Sequence, residues 1–153
     1  MIKQSNALIG SAGVHYVCAI LSMNGMIALP TVRNTKGIDI VVLNHEGSFL
    51  ANLQIKTSHK KVSSWIVGAD YERWYGDNNH YVFVRYYYEK FEAFLESSEN
   101  VIQQVKQTIE LDRRRGVKDW VPRWHLPRKE LPTQKLQWRL FSRFKQLKIK
   151  KTR

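Results

Sequence analysis

The spacing of apolar and polar residues divides the chain into a short series of elements. From Ser5 or Asn6 to Met23, the residues Leu8, Ala12, Val17, Ile20 and Leu21 approximate a helical period, and Asn24-Gly25 supplies a C-terminal stop. Gly10 and Gly13 fall inside this helix, where each costs about 1 kcal/mol relative to alanine; they point to close approach of another backbone or a ligand. Met26 to Leu29 reads as a short strand ending at Pro30, and Thr31 to Lys36 as a polar, basic connection.

The pattern then becomes strand-like. Gly37 to Leu43 is apolar apart from Asp39, the link Asn44 to Ser48 has the length and composition of a hairpin loop, and the next strand runs to Ser58. Period-two alternation puts Gln54 and Lys56 on one face of that strand and Leu53 and Ile55 on the other. Pairing of the two strands brings Asp39 towards Gln54 and Lys56. A carboxylate, an amide and an ammonium at the edge of a hydrophobic sheet are costly to desolvate, and packing alone would not select them.

Further along, Trp65-Ile66-Val67 restarts apolar order, and Asp70 to His80, rich in charge, Gly and Asn, reads as an exposed loop. Tyr81 to Tyr88 has the valine and aromatic content of a central strand, with Phe91 to Leu95 as its neighbour. Glu99 to Arg115 is a helix on Val101, Ile102, Val105, Ile109 and Leu111, and Thr133 to Lys150 returns to helical spacing on Leu136, Leu140, Phe144 and Leu147. The economical layering is an α/β domain with a mixed central sheet flanked by helices. We expect a core over residues 1–115 and a basic, Trp-containing helical extension over 116–153, packed on the core or linked to it.

Composition narrows the partners. At 153 residues and 43% hydrophobic content, the length suits one domain with a real core. No apolar run approaches the roughly twenty residues of a membrane span, no signal-peptide pattern opens the chain, and Cys18 is the single cysteine, so no membrane partner and a reducing, cytoplasmic location are expected. Charge is strongly polarised: residues 1–111 hold ten Lys/Arg and ten Asp/Glu, whereas residues 112–153 hold fifteen and three and carry the whole net charge of +12. A basic segment on a neutral body is the footprint of a polyanion binder, with nucleic acid the leading partner. A solvated tail that only confers solubility is the plainer alternative.

The run Gly13, Leu21, Gly25, Gly37-Ile38-Asp39 and Gln54-Ile55-Lys56-Thr57-Ser58 resembles the PD-(D/E)xK nuclease superfamily, with its restriction-endonuclease-like fold and its Holliday-junction resolvases. The resemblance covers roughly the first 95 residues. It implies Asp39, Gln54 and Lys56 as catalytic residues, and Asp39, the Gln54 amide and the Ile55 carbonyl as ligands of magnesium or manganese. It also implies DNA as partner and, because two strands need two sites, a homodimer. The chain departs from the family on the first helix, where Gly13 is followed by Val14 instead of an acid. His15 lies one position further, about 100° of helix rotation away, and manganese tolerates imidazole better than magnesium does. The cation is therefore expected to be held weakly.

Phosphate contacts are expected from Thr57, Ser58, Lys60 and Lys61 after the motif, and from Arg113, Arg114, Arg115, Arg123, Arg139 and Arg143 in the basic third. Trp120, Trp124 and Trp138 either stack on bases or, as the first reading, lock the C-terminal segment onto the domain. Three functional readings follow: a DNA-binding, metal-dependent endonuclease; a catalytically degenerate relative that binds nucleic acid or a protein without cutting; or an interaction protein whose amphipathic tail docks to a membrane or protein partner. Residue by residue, Asp39 and Lys56 are also explained by a plain ion pair at a sheet edge.

Overall fold

The computed structural model describes residues 5–32 and 37–127. The expected helix over 133–150, with Arg139, Arg143 and Trp138, lies outside the described residues. Helix α1 spans Asn6–Met23, capped by Ser5, whose hydroxyl accepts the Leu8 N–H at 3.3 Å. Strands β1 (Ile27–Pro30), β2 (Ile40–Leu43) and β3 (Phe49–Ser58) follow, then β4 (Ser64–Ile66), a one-turn 3₁₀ helix (Tyr71–Trp74), β5 (Asn79–Tyr87) and β6 (Lys90–Ser97). Helix α2 (Ser98–Arg114) and β7 (Arg123–His125) complete the described part.

The central five-stranded sheet has the order β1-β2-β3-β5-β6. β3 and β5 are parallel and the other neighbours antiparallel, so the sheet is mixed as expected. The parallel pair forces the chain between Ser58 and Asn79 to cross one face of the sheet, and β4, the 3₁₀ helix and later β7 occupy that crossing. One core lies under α1, where Val17 and Leu21 meet Ile40, Val42, Leu53, Val82 and Val84. The other lies under α2, where Val101 and Val105 join Tyr81, Phe83, Phe94, Trp65 and Trp124. Because both faces are covered, β5 is buried continuously from His80 to Arg85 instead of alternating.

Three expectations change here. The buried stripe of α1 is Ile9, Gly13, Val17 and Leu21, while Leu8 is 66% exposed. The stretch Asp70 to His80 is no plain exposed loop: Tyr71, Trp74 and His80 are buried, hidden in the sequence among charged neighbours. And α1, 18 residues with mean hydropathy 1.4, does have the length and apolarity of a short membrane span, contrary to the sequence expectation; here four of its residues are buried on the domain.

Gly13 sets how close α1 can lie. A Cβ there would stand 1.9 Å from Thr57 Oγ1 and 2.9 Å from Thr57 Cβ, so the helix reaches β3 only without one. Gly13→Ala is expected to destabilise by about 1–3 kcal/mol through overpacking, although alanine is the better helix former. Chemical denaturation checks this, and Thr57→Ala in the same chain should recover part of the loss. A stabilised Gly13→Ala would show that α1 does not need this approach.

Candidate active site

The β2–β3 ladder ends at Ile40↔Leu53. One residue earlier, the Asp39 N–H still donates to the Leu53 carbonyl at 2.8 Å, and then its side chain takes over the edge: Asp39 Oδ2 accepts the Ile55 N–H at 2.7 Å. The carboxylate thus replaces the next rung of the sheet. On its other side Asp39 is tied to β1, its carbonyl accepting the Thr31 N–H at 3.0 Å, while the Thr31 hydroxyl donates to the Ile38 carbonyl. Beyond this point, among the described residues, the strand partners of Ile55 to Ser58 are only Val82 to Arg85 of β5. N–H and C=O of one strand residue point to the same side, so the Ile55 carbonyl faces the opened edge that Asp39 closes.

Asp39 and Ile55 line a cavity of about 420 Å³ together with Ser11, Val14 and His15 of α1 and Thr31. Val14, at the place where the resemblance calls for an acid, therefore does face the space in front of Asp39, and so does His15. Gln54 is placed differently. It lines a second cavity, of about 490 Å³, on the α2 side with Gly37, Tyr71 and Trp74. Lys56 lines neither, and among the described residues it forms no ion pair with Asp39 within 4.0 Å, so the sheet-edge salt bridge is not what holds this arrangement. The two charges still feel each other. Burial pushes the Asp39 carboxyl above its ordinary value, partly offset by the Ile55 N–H and by Lys56. Burial likewise lowers the Lys56 ammonium, partly offset by Asp39. Both ions are thus kept at a net desolvation cost, as expected where a charge serves chemistry more than stability.

The donors at the opened edge are hard: a carboxylate with one oxygen taken by Ile55 and a backbone carbonyl. They fit an oxygen-seeking divalent cation, with water and phosphate supplying the rest of its shell. Among the described residues no three His, Cys, Asp or Glu side chains converge on such a point. Cys18 is half-buried, its thiol raised by burial, and forms no cluster with His15.

The expected phosphate contacts are scattered. The Thr57 hydroxyl is buried without a hydrogen-bond partner among the described residues and sits where a Gly13 Cβ would be, enclosed by α1 and not displayed at the surface. The Ser58 hydroxyl accepts the Lys60 N–H at 3.3 Å, and Lys60 and Lys61 are exposed, Lys61 Nζ lying 5.6 Å from the Tyr87 ring centre. Arg113 stacks over Trp120 at 5.5 Å, Arg114 pairs with Glu110 at 3.0 Å, and Arg115 caps α2. Arg123 is exposed on β7 beside Trp124, which is 1% exposed and stacked on Phe83 at 4.1 Å. Trp124 therefore locks the segment onto the domain, the first of the two roles considered for the tryptophans.

Sequence reasoning passed over Trp74 and Tyr81 as site residues. Trp74 Nε1 and Tyr81 Oη are buried with no hydrogen-bond partner among the described residues, and burial raises the Tyr81 hydroxyl steeply. The β3–β5 pairing sets Tyr81 against Gln54 and the crossing chain brings Trp74 to the same cavity, so no spacing signal announces them.

No family model and no curated protein sequence matches the chain. Its fold is similar to the solved structure of a bacterial homing endonuclease, I-Ssp6803I, with a TM-score of 0.51 over 97% of this chain and 98% of that one, at 16% identity. At that identity the likeness is one of fold, and it agrees with a mixed sheet flanked by helices of the restriction-endonuclease-like type.

Proposed function

We propose that the chain is a DNA-binding protein of the PD-(D/E)xK type that hydrolyses phosphodiester bonds at the opened edge of β3 with magnesium or manganese. The observation that carries this is the Asp39 carboxylate standing in for a rung of the sheet at Ile55, with a desolvated Lys56 one residue on. A bound divalent cation would neutralise phosphate oxygens and acidify a coordinated water. Asp39 and the Ile55 carbonyl would hold it. Lys56, poorly hydrated, exerts a stronger field on a phosphate than a surface lysine would, and suits stabilisation of charge on the attacked group. Gln54 offers a neutral amide from the neighbouring cavity. The homing endonuclease likeness and the basic stretch from Arg113 onward support DNA as substrate, and two such sites on a homodimer would serve two strands.

The second reading keeps DNA binding and drops cleavage. It is favoured by Val14, which leaves the cavity without a second carboxylate. Plasmid and branched DNA incubated with magnesium or manganese separate the two. Cleavage that falls at least about 100-fold in Lys56→Ala supports the nuclease; equal cleavage in parent and variant assigns it to a contaminant. Val14→Glu is expected to tighten manganese binding about tenfold or more, read by calorimetry, because a second hard donor joins Asp39 in the same cavity. Unchanged affinity would place the ligands elsewhere.

A further inference from the structure

The cavity on the α2 side has features that the Asp39 site does not use. Its walls include Gly37, Gln54, Tyr71, Arg73, Trp74 and Tyr81, around about 490 Å³, within the size range of small-ligand sites. Two of these residues carry polar atoms that the described residues leave unsatisfied, Trp74 Nε1 and Tyr81 Oη. Native folds rarely leave two such groups side by side, and each calls for a partner that the chain does not provide. The indole N–H only donates, the phenol donates or accepts, and the Gln54 amide does both. The Trp74 and Tyr81 rings stand edge to face, centroids 6.3 Å apart at 71°. The Arg73 side chain, 85% exposed, lies at the rim beside Asp70. Aromatic walls with unpartnered polar atoms just behind them suit a planar ligand with a hydrogen-bonding edge, which is the chemistry of a nucleobase.

Position adds to this. Gln54 faces Tyr81 in the β3–β5 register, and continuing the β2–β3 register by one residue beyond Ile40↔Leu53 sets Asp39 opposite Gln54. The cavity therefore begins one residue across from the carboxylate, on the other side of the opened edge. A strand whose phosphate lies at Asp39 would pass the register position from which Gln54 enters this cavity.

We propose that this cavity receives one unstacked nucleobase of the bound strand, next to the phosphate at Asp39. The inference rests on the DNA-binding reading above. Trp74 Nε1 and Tyr81 Oη are closed to solvent, so the base would reach them only as the one-turn helix Tyr71–Trp74 moves outward from Gly68, at φ +98°, its other end being clasped at Gly76 by the Ser98 hydroxyl. Extrusion costs least at mismatched or unpaired positions, so those are the preferred substrates.

The test uses the full chain and duplexes carrying 2-aminopurine at successive positions around a mismatch, with calcium in place of magnesium so that binding is read without cleavage. The expected result is a several-fold rise in 2-aminopurine fluorescence at one position. Ala69→Phe, at the exposed rim of the cavity, should abolish that rise and weaken binding about tenfold with an unchanged melting temperature. Tyr81→Phe, which removes one unpartnered hydroxyl, should weaken binding about fivefold. Tight DNA binding with no rise at any position overturns the inference and leaves the nuclease reading standing. A rise that survives Ala69→Phe also overturns it, and absence of DNA binding overturns both.

Discussion

Asp39→Asn should lose metal-dependent cleavage by more than the roughly 100-fold that loss of an outer-shell partner costs, and should melt at a higher temperature than the parent at neutral pH. Both effects come from one geometry. The asparagine oxygen still accepts the Ile55 N–H, so the edge of β3 stays closed, but the charge that holds a cation is gone. Burial raises the folded-state value of Asp39 above its unfolded 3.8, so between those values the native state binds more protons than the unfolded chain. Stability of the parent therefore falls as pH rises through that window. The gain in Asp39→Asn should be absent below pH 3.8 and complete above the raised folded value. Lys56 runs the other way. Its folded value lies below 10.5, so its cost is complete below that lowered value and is relieved as pH rises from there to 10.5. Lys56→Met should thus also raise the melting temperature at pH 7, and the double variant should gain more than the sum, because each single change forfeits the attraction between the two charges. A lowered melting temperature in Asp39→Asn would make Asp39 a structural latch and remove the main support for the active site.

Trp124→Ala is expected to cost about 3–5 kcal/mol, enough to unfold a marginal domain, as read by urea denaturation. The ring is 1% exposed, lies parallel to Phe83 at 2° and 4.1 Å, and meets Trp65 at 5.7 Å. It is held there by three paired residues of β7 against β4, and by Gln104 of α2, whose side chain accepts the His125 N–H at 2.6 Å and donates to the His125 carbonyl at 2.8 Å. A chain ended after Leu111 would therefore fail to fold, and its poor DNA binding would say nothing about charge. Ending after Pro127 keeps this packing and removes ten Lys/Arg against Glu130. That chain should melt cooperatively yet bind DNA more weakly, with a shallower dependence on salt. Unchanged affinity would reject the basic segment as the anchor. A loss below about 1 kcal/mol in Trp124→Ala would mean that β7 is an appendage and not part of the core.

Much of the frame was legible because it rests on local rules. Ser5 and Asn24-Gly25 bound α1, Asn44 to Ser48 makes the β2–β3 turn, and the valines and aromatics of β5 specify a strand buried on both faces. The spacing Asp39, Gln54, Lys56 singles out the edge of β3 where the Asp39 carboxylate accepts the Ile55 N–H, since polar groups in a hydrophobic strand register stand out against the alternation around them. Gly13 announced a close approach, and Thr57 of β3 proved to be what it approaches.

What the sequence by itself determined is the helix and strand order, the net charge confined to the last 42 residues, and the residue types at the edge of β3. Only the tertiary structure decided how those residues are shared out. Asp39 turns to the Ile55 N–H because β2 parts from β3 one residue too early for another backbone rung, and Gln54 falls into a different cavity because the Ser58-to-Asn79 crossing covers its face. Burial of Tyr71 and Trp74 in that crossing follows from the parallel β3–β5 pairing, a long-range choice that no local period encodes. Secondary structure follows from neighbours along the chain, whereas the site depends on which strand edges are left open.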